Sequence, residues 1–120
     1  MLKVFAYKNC DTCRKALQWL KSRQIPHQVY PIRDSPPSPA ELRQMLKNVA
    51  EIKQLFNTSG QDYRALNLKD KLPSMTEAEA LHLLAHNGNL IKRPFVLGPE
   101  TALLGFKEPE WTANLQSKTN

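Results

Sequence analysis

The sequence predicts an α/β fold in which a βαβ unit and a ββα unit flank a run of helices. Three observations lead to this prediction. Short apolar runs typical of buried strands lie near the two ends of the chain, helix-starting signals lie between them, and no internal repeat interrupts the order. A chain of 120 residues is long enough for one compact domain and too short for two.

The N-terminal part of the chain predicts a strand, a helix and a second strand. Residues 2–7 form an apolar run typical of a buried strand. A helix is predicted over residues 11–23 and ends before Pro26, and residues 27–30 predict the second strand. Two strands joined in this way are parallel, with a right-handed crossover. The spacing of apolar residues predicts an inward helix face of Cys13, Ala16, Leu17 and Leu20.

Two capping boxes predict helices in the middle of the chain. Ser38 with Glu41, and Thr76 with Glu79, have the spacing at which side chains and backbone groups cap a helix reciprocally. The second of these helices is expected to end at residues 87–88, Asn-Gly, because glycine adopts the left-handed conformation readily. The predicted buried positions are Leu42, Met45, Leu46 and Val49 in the first helix and Ala80, Leu83 and Leu84 in the second.

Two more strands and a last helix are predicted at the C-terminal end. Residues 95–97 and 101–106 are apolar runs, and the sequence Gly-Pro-Glu between them favours a hairpin turn. A helix is predicted from Glu108. With the central helices set aside, the order βαβ followed by ββα is that of a thioredoxin-like fold.

These elements predict one domain over residues 1–120. We expect a thioredoxin-like core at about residues 1–34 and 90–120, and a helical insertion at about 38–89. The longest uncharged apolar stretches are a few residues long, whereas a membrane-spanning helix needs ~20. Lysines interrupt the short apolar start, so no secretory signal is predicted. We therefore expect a cytoplasmic monomer that does not bind membranes.

The positive charge is concentrated near the N-terminus. The net charge is +6, and six basic residues but only one acidic residue lie within residues 1–30. A basic patch can attract nucleic acid, but the absence of interleaved aromatic residues argues against direct nucleic-acid binding. Two readings stay open: a solvated helix face, or a local field that holds an anion near Cys10.

The segment between the first strand and the first helix carries the predicted chemistry. Cys10 is expected at the helix N-terminus, where free N–H groups and the helix dipole favour the thiolate. Lys8, Arg14 and Lys15 can add to this effect. Cys13 follows one helical turn later and can attack a sulfur adduct formed on Cys10. We therefore predict that Cys10 is the nucleophile and Cys13 the resolving thiol.

Two other interpretations of the cysteines compete with this one. Free cysteine packs well in a core, which suits Cys13 better than Cys10. A zinc site is the second alternative, because the Cys10-x-x-Cys13 spacing and the His82-x-x-x-His86 spacing both occur in zinc sites. The long separation between Cys13 and His82 does not match a compact zinc finger, so no metal site is predicted.

A second candidate site element precedes the third predicted strand. Pro94 is a candidate for a cis peptide bond with Arg93. In a thioredoxin-like fold this loop faces the turn that carries Cys10. Arg93 would then present a guanidinium group suited to an oxyanion, a carboxylate or the thiolate. The alternative is a surface arginine at the start of a strand.

Together these residues resemble the ArsC-type arsenate reductase family, with its Spx/MgsR and YffB-like branches. The resemblance covers almost the whole chain and implies the thioredoxin-like core with inserted helices. It also implies that Cys10 is the nucleophile and that Arg93 precedes a cis-proline. The segments that carry the resemblance are residues 8–16, 55–60, 90–94 and 104–106.

The branches of this family imply different activities. Arsenate reductases use further arginines, near Asn57 and Gly105, and usually lack a cysteine at position 13; this chain departs from them at all three positions. The Spx branch has the same Cys-x-x-Cys and implies a redox-sensing transcription regulator that binds the RNA polymerase α subunit. The YffB branch resembles a glutathione-linked thiol reductase, and often has only the first cysteine.

The resulting hypothesis is a thiol–disulfide oxidoreductase that holds no bound cofactor. Glutathione is the expected co-substrate, and glutathione or a small redox protein is the expected partner. The alternative is an Spx/MgsR-like regulator whose partner is the RNA polymerase α subunit, and arsenate reduction is the less favoured third activity. The predicted catalytic residues are Cys10, Cys13 and Arg93, and the predicted substrate-binding residues are Lys8, Asn9, Thr12, Arg14 and Pro94.

Overall fold

Four strands form one mixed sheet, in which the second strand of the chain lies at an edge and is followed across the sheet by the first, third and fourth. The computed structural model describes residues 1–116. Strand β1 (Leu2–Ala6) is parallel to β2 (His27–Pro31) and antiparallel to β3 (Phe95–Leu97), which is antiparallel to β4 (Ala102–Leu104). The predicted parallel βαβ unit and the C-terminal hairpin are therefore confirmed.

Most of the helices lie between β2 and β3, in the middle of the chain. The first predicted helix and the two capped helices are confirmed. Two short α-helices that lie between the capped helices were not predicted. Helices α1 to α6 span Asp11–Ser22, Pro39–Leu46, Gln61–Ala65, Leu68–Lys71, Glu77–Ala85 and Glu108–Trp111. Short 3-10 helices span Ile52–Leu55, Leu72–Ser74 and Gly88–Leu90, and a π-helical turn spans Thr112–Gln116.

The fold is the thioredoxin-like arrangement, with the additional helices inserted between β2 and β3. Residues 117–120, which the predicted core segment included, lie outside the described residues. Among the described residues, none of the helices has the length and apolar character needed to cross a membrane.

Both capping boxes form as the sequence predicts. The Ser38 hydroxyl accepts a hydrogen bond from the backbone N–H of Glu41 at 3.1 Å, and the Glu41 carboxylate accepts one from the Ser38 N–H at 2.9 Å. Thr76 and Glu79 form the same pair of hydrogen bonds, at 3.1 and 2.9 Å. Each cap satisfies backbone donors that the first helical turn leaves free, which stabilises a helix by roughly 1 kcal/mol.

The sheet separates two apolar clusters. Along β1, Val4 and Ala6 pack in the cluster that contains α1 and Trp111, whereas Phe5 packs in the cluster formed with the inserted helices. This division follows from the alternation of side chains along a strand. Four predicted core positions are only partly buried, and two others are buried instead. The partly buried positions are Leu17, Leu46, Val49 and Leu83, and within α1, α2 and α5 the unpredicted buried positions are Trp19 and Leu81.

The prediction that α5 ends at a glycine in the left-handed conformation is wrong. Helix α5 is capped by His86, and Gly88 does not have a positive φ. Gly88 instead packs against the backbone that follows β2, since a Cβ atom there would lie 1.9 Å from the carbonyl oxygen of Ile32. Glycine is therefore required by a close backbone approach rather than by helix termination.

Strand β4 is shorter than the predicted run of residues 101–106. Gly105 has φ +72° and turns the chain away from the sheet. Its N–H donates a hydrogen bond to the carbonyl oxygen of Pro94 at 2.8 Å. This turn brings the segment after β4 to the loop that precedes β3.

We predict that Gly88→Ala destabilises the protein by about 1–3 kcal/mol, because the new methyl group overlaps a backbone oxygen that cannot rotate away. The measurement is the midpoint of urea unfolding. Gly98→Ala is the matched control, since its Cβ would first meet a methyl group of the Leu2 side chain, at 2.8 Å, which can move. An equal loss of stability in the two variants would contradict the prediction.

Candidate active site

Cys10 lies at the junction of the first strand and the first helix, as predicted. It is the N-cap residue of α1, with an extended backbone of φ −114° and ψ 117°. Its sulfur accepts a hydrogen bond from the backbone N–H of Cys13 at 3.3 Å. The sulfur therefore occupies the position at which a helix N-terminus stabilises a negative charge.

The surroundings of Cys10 lower the pKa of its thiol. Partial burial opposes ionisation, but hydrogen bonds from the Cys13 side chain and backbone, together with a hydrogen bond and the positive charge of Arg93, outweigh it. The structure thus brings Arg93 to Cys10, although the two residues are far apart in the sequence. The pKa shift favours the reactive thiolate form of Cys10.

Cys13 has the opposite environment. Its side chain is fully buried. Burial is the main cause that raises the pKa of the Cys13 thiol to about 12, and the hydrogen bond and the charge of Cys10 contribute to the rise. A backbone hydrogen bond from Tyr7 and the charge of Arg93 lower the pKa of Cys13, but by less. Cys13 is therefore a thiol while Cys10 is free to be a thiolate, which is the division of roles that a nucleophile and a resolving cysteine require.

A cavity of about 350 Å³ opens beside Cys10. Among the described residues that line it, none is acidic, and three are basic: Lys92, Arg93 and Lys107. Thr12 also contributes to the wall. The cavity can therefore hold an anionic group next to the Cys10 sulfur.

Lys92 and Lys107 are cavity residues that were not predicted from the sequence. Lys92 is next to Arg93 in the chain, which is the one sequence signal that could have suggested it. Lys107 reaches the cavity because Gly105 turns the chain after β4. A Cβ atom on Gly105 would lie 3.1 Å from Cε of Lys92, so the glycine leaves room for the lysine side chain.

The other predicted site residues have different positions. Lys8 and Asn9 are exposed, and the Asn9 amide donates a hydrogen bond to the Tyr7 hydroxyl at 3.2 Å. Arg14 forms an ion pair with Asp11 and donates a hydrogen bond to the carbonyl oxygen of Lys8 at 3.1 Å. Substrate binding by Lys8, Asn9 and Arg14 stays a prediction.

Pro94 forms the inner end of the loop that carries Arg93. The peptide bond between Arg93 and Pro94 is cis, as predicted, and Pro94 is buried. The antiparallel register pairs Phe5 with Phe95. Tyr7 follows β1 just before the Cys10 turn, and its ring centroid lies 5.0 Å from Cζ of Arg93.

Comparison with known proteins identifies the family. Residues 5–114 match the ArsC family. The chain belongs to the ArsC family. The predicted family membership is therefore confirmed, and the fold of this ArsC-family protein agrees with its solved relatives.

Three relatives show the range of this family. The uncharacterized protein YusI of Bacillus subtilis is 44% identical over 114 residues, which cover 94% of this chain and 97% of YusI. A possible arsenate reductase from Streptococcus mutans is 40% identical and has a TM-score of 0.83, covering 89% of this chain and 92% of its own. The global transcriptional regulator Spx of Streptococcus pneumoniae is 28% identical, over 96% of this chain and 86% of Spx.

Two of the three departures of this ArsC-family chain from the arsenate reductase pattern lie in the cavity itself. The resemblance implied that arsenate reductases carry arginines near positions 57 and 105. Asn57 and Gly105 both line the cavity beside Cys10. The positive charges available there are instead those of Lys92, Arg93 and Lys107.

We predict that Arg93→Gln raises the pKa of Cys10, because it removes both a hydrogen bond and a positive charge from the thiolate. Below that pKa, the rate of Cys10 alkylation by iodoacetamide should fall roughly threefold to tenfold. The measurement is the pH dependence of the alkylation rate, whose midpoint should move to higher pH.

The matched control for this prediction is Arg14→Gln, because Arg14 pairs with Asp11 and the groups that lower the pKa of Cys10 are Cys13 and Arg93. The control should leave the midpoint close to that of the unmodified protein. If both variants shift the midpoint equally, the effect comes from net charge and not from contact between Arg93 and Cys10.

Proposed function

We propose that the protein is a cytoplasmic, monomeric thiol–disulfide oxidoreductase that acts on glutathione-containing disulfides. The observation that carries the proposal is the pairing of two unequal thiols: Cys10 with a lowered pKa at a helix N-terminus, and a buried Cys13 one turn later. A reducing compartment such as the cytoplasm is where such a pair is catalytic rather than structural.

In the first step the Cys10 thiolate attacks the glutathione sulfur of a mixed disulfide. The bond between that sulfur and the substrate sulfur breaks, and the substrate leaves as a thiolate that takes a proton from water. A disulfide between Cys10 and glutathione remains. Arg93 stabilises the Cys10 thiolate and can also bind a carboxylate of glutathione.

The second step uses Cys13. Once Cys10 is part of a disulfide it carries no negative charge, so one of the causes that raise the pKa of Cys13 disappears. Cys13 loses its proton and attacks the Cys10 sulfur, which releases glutathione as a thiolate and forms the Cys10–Cys13 disulfide. Two electrons from glutathione, or from a small redox protein, then restore both thiols.

The charge of the cavity supports glutathione as the co-substrate. Glutathione carries two carboxylates, and the cavity beside Cys10 presents Lys92, Arg93 and Lys107. Positive side chains near a reactive sulfur attract anionic disulfides more than neutral ones, and salt screens this attraction.

We predict that Cys10→Ser abolishes reduction of a glutathionylated peptide, because the hydroxyl group cannot form the mixed disulfide. Cys13→Ser should still form the disulfide between Cys10 and glutathione but should accumulate it, since the resolving thiol is missing. The measurements are peptide release over time and mass spectrometry of the intact protein.

The serine variants test separate parts of the proposal. Equal rates for the unmodified protein and Cys10→Ser would remove Cys10 from the reaction. If Cys13→Ser turns over at the full rate without accumulating the adduct, a second glutathione resolves the intermediate and Cys13 has no role in it.

The second candidate function is a redox-switched transcription regulator. The similarity to Spx, a global transcriptional regulator, favours it. In this case formation of the Cys10–Cys13 disulfide would alter a surface that binds the RNA polymerase α subunit. Retention of the purified protein on immobilised α subunit, in one redox state but not in the other, would support it; no retention in either state would exclude it.

Arsenate reduction is the less favoured activity. Asn57 and Gly105 stand in the cavity where the resemblance implies arginines in arsenate reductases. Absence of arsenite formation, with glutathione and glutaredoxin supplied, would exclude it.

A further inference from the structure

The main chain of Tyr7 is fixed to both cysteines. Tyr7 follows β1 directly, and its carbonyl oxygen accepts a hydrogen bond from the N–H of Cys10 at 3.2 Å. Its backbone also forms a hydrogen bond with the buried Cys13 thiol. The Tyr7 backbone is therefore held next to the turn that carries Cys10.

The ring of Tyr7 lies against the guanidinium group that contacts Cys10. Cζ of Arg93 is 5.0 Å from the ring centroid, within the range of a cation–π interaction. Among residues 1–116, no carboxylate forms an ion pair with Arg93. An aromatic ring can hold a guanidinium group without neutralising its charge, whereas a carboxylate would weaken the effect of that charge on the thiolate.

The ring is itself held in place by polar groups. Cζ of Arg33 lies 4.4 Å from the ring centroid, and its Nη1 donates a hydrogen bond to the Tyr7 hydroxyl at 3.0 Å. The Asn9 amide donates a second one at 3.2 Å. Arg33 also donates through Nε to the amide oxygen of Asn89, and Asn89 donates to Asp62 at 3.1 Å. This chain of hydrogen bonds connects the ring to helix α3 of the insertion.

We propose that Tyr7 is a positioning residue, whose ring holds the Arg93 guanidinium at the Cys10 sulfur. Tyr7 follows β1 and Arg93 precedes β3, so both lie at the same end of these paired strands, and Arg33 fixes the ring in turn. The inference deepens the proposed function and rests on it in one respect, namely that Cys10 acts as a thiolate.

The test compares three variants of Tyr7. Tyr7→Leu and Tyr7→Met remove the ring, whereas Tyr7→Phe keeps it and removes only the hydroxyl. We expect the ring-less variants to alkylate at Cys10 about threefold more slowly below the pKa, and the midpoint of the pH profile to move to higher pH. Tyr7→Phe should retain most of the rate. Circular dichroism checks that each variant is folded. If Tyr7→Leu does not fold, Tyr7→Met takes its place as the variant without a ring.

A double variant separates positioning from a general structural effect. In the Arg93→Gln background, removal of the Tyr7 ring should not shift the midpoint of the pH profile of alkylation any further. The guanidinium group that the ring holds is already absent from this variant. The proposal would be overturned by an unchanged midpoint in the ring-less variants, by an equal shift in Tyr7→Phe, or by an equal additional shift in the Arg93→Gln background.

These measurements use alkylation of Cys10 and not reduction of a glutathione disulfide. Failure of the glutathione reaction with an intact Tyr7 effect would refute the proposed substrate alone. A Cys10 pKa close to that of a free thiol in the unmodified protein would refute the thiolate on which both proposals depend.

Discussion

The site depends on the stabilisation of a negative sulfur at Cys10 by two groups from different parts of the fold. One is the backbone N–H of Cys13 at the start of α1, 3.3 Å away. The other is the guanidinium group of Arg93. The first is a property of the strand-to-helix turn. The second exists because β1 and β3 are antiparallel neighbours, with Phe5 opposite Phe95, so the end of one strand lies beside the start of the other.

The helical insertion contributes to the same site by fixing the segment that leads to Arg93. Phe56 and Ile91 form an isolated antiparallel bridge. The backbone N–H of Lys92 donates a hydrogen bond to the Leu55 carbonyl oxygen at 2.8 Å. These contacts hold Lys92 and Arg93 at the cavity, and Asn57, the residue after the bridge, lines its wall. The insertion thus supports the loop before β3 as well as covering one face of the sheet.

The difference between the two cysteines follows from the helix geometry and the sheet. Cys10, at the N-cap, is half-buried and faces the cavity, whereas Cys13 points into the cluster between α1 and the sheet and is fully buried. A single helical turn therefore places one thiol at the cavity and removes the other from solvent. This asymmetry is what the proposed two-step reaction requires of the two thiols.

The sequence by itself determined the strands, helix α1, both capping boxes and the N-cap position of Cys10, because these depend on neighbouring residues. The tertiary structure alone decided which positive side chains lie near the Cys10 sulfur. Lys107 reaches the cavity, and Tyr7 contacts Arg93, because the sheet brings together segments that are distant in the sequence.

The tertiary structure also decided the role of Gly88. There the local Asn-Gly signal for a left-handed turn was overridden by the backbone of Ile32, since close packing between distant segments leaves no room for a side chain.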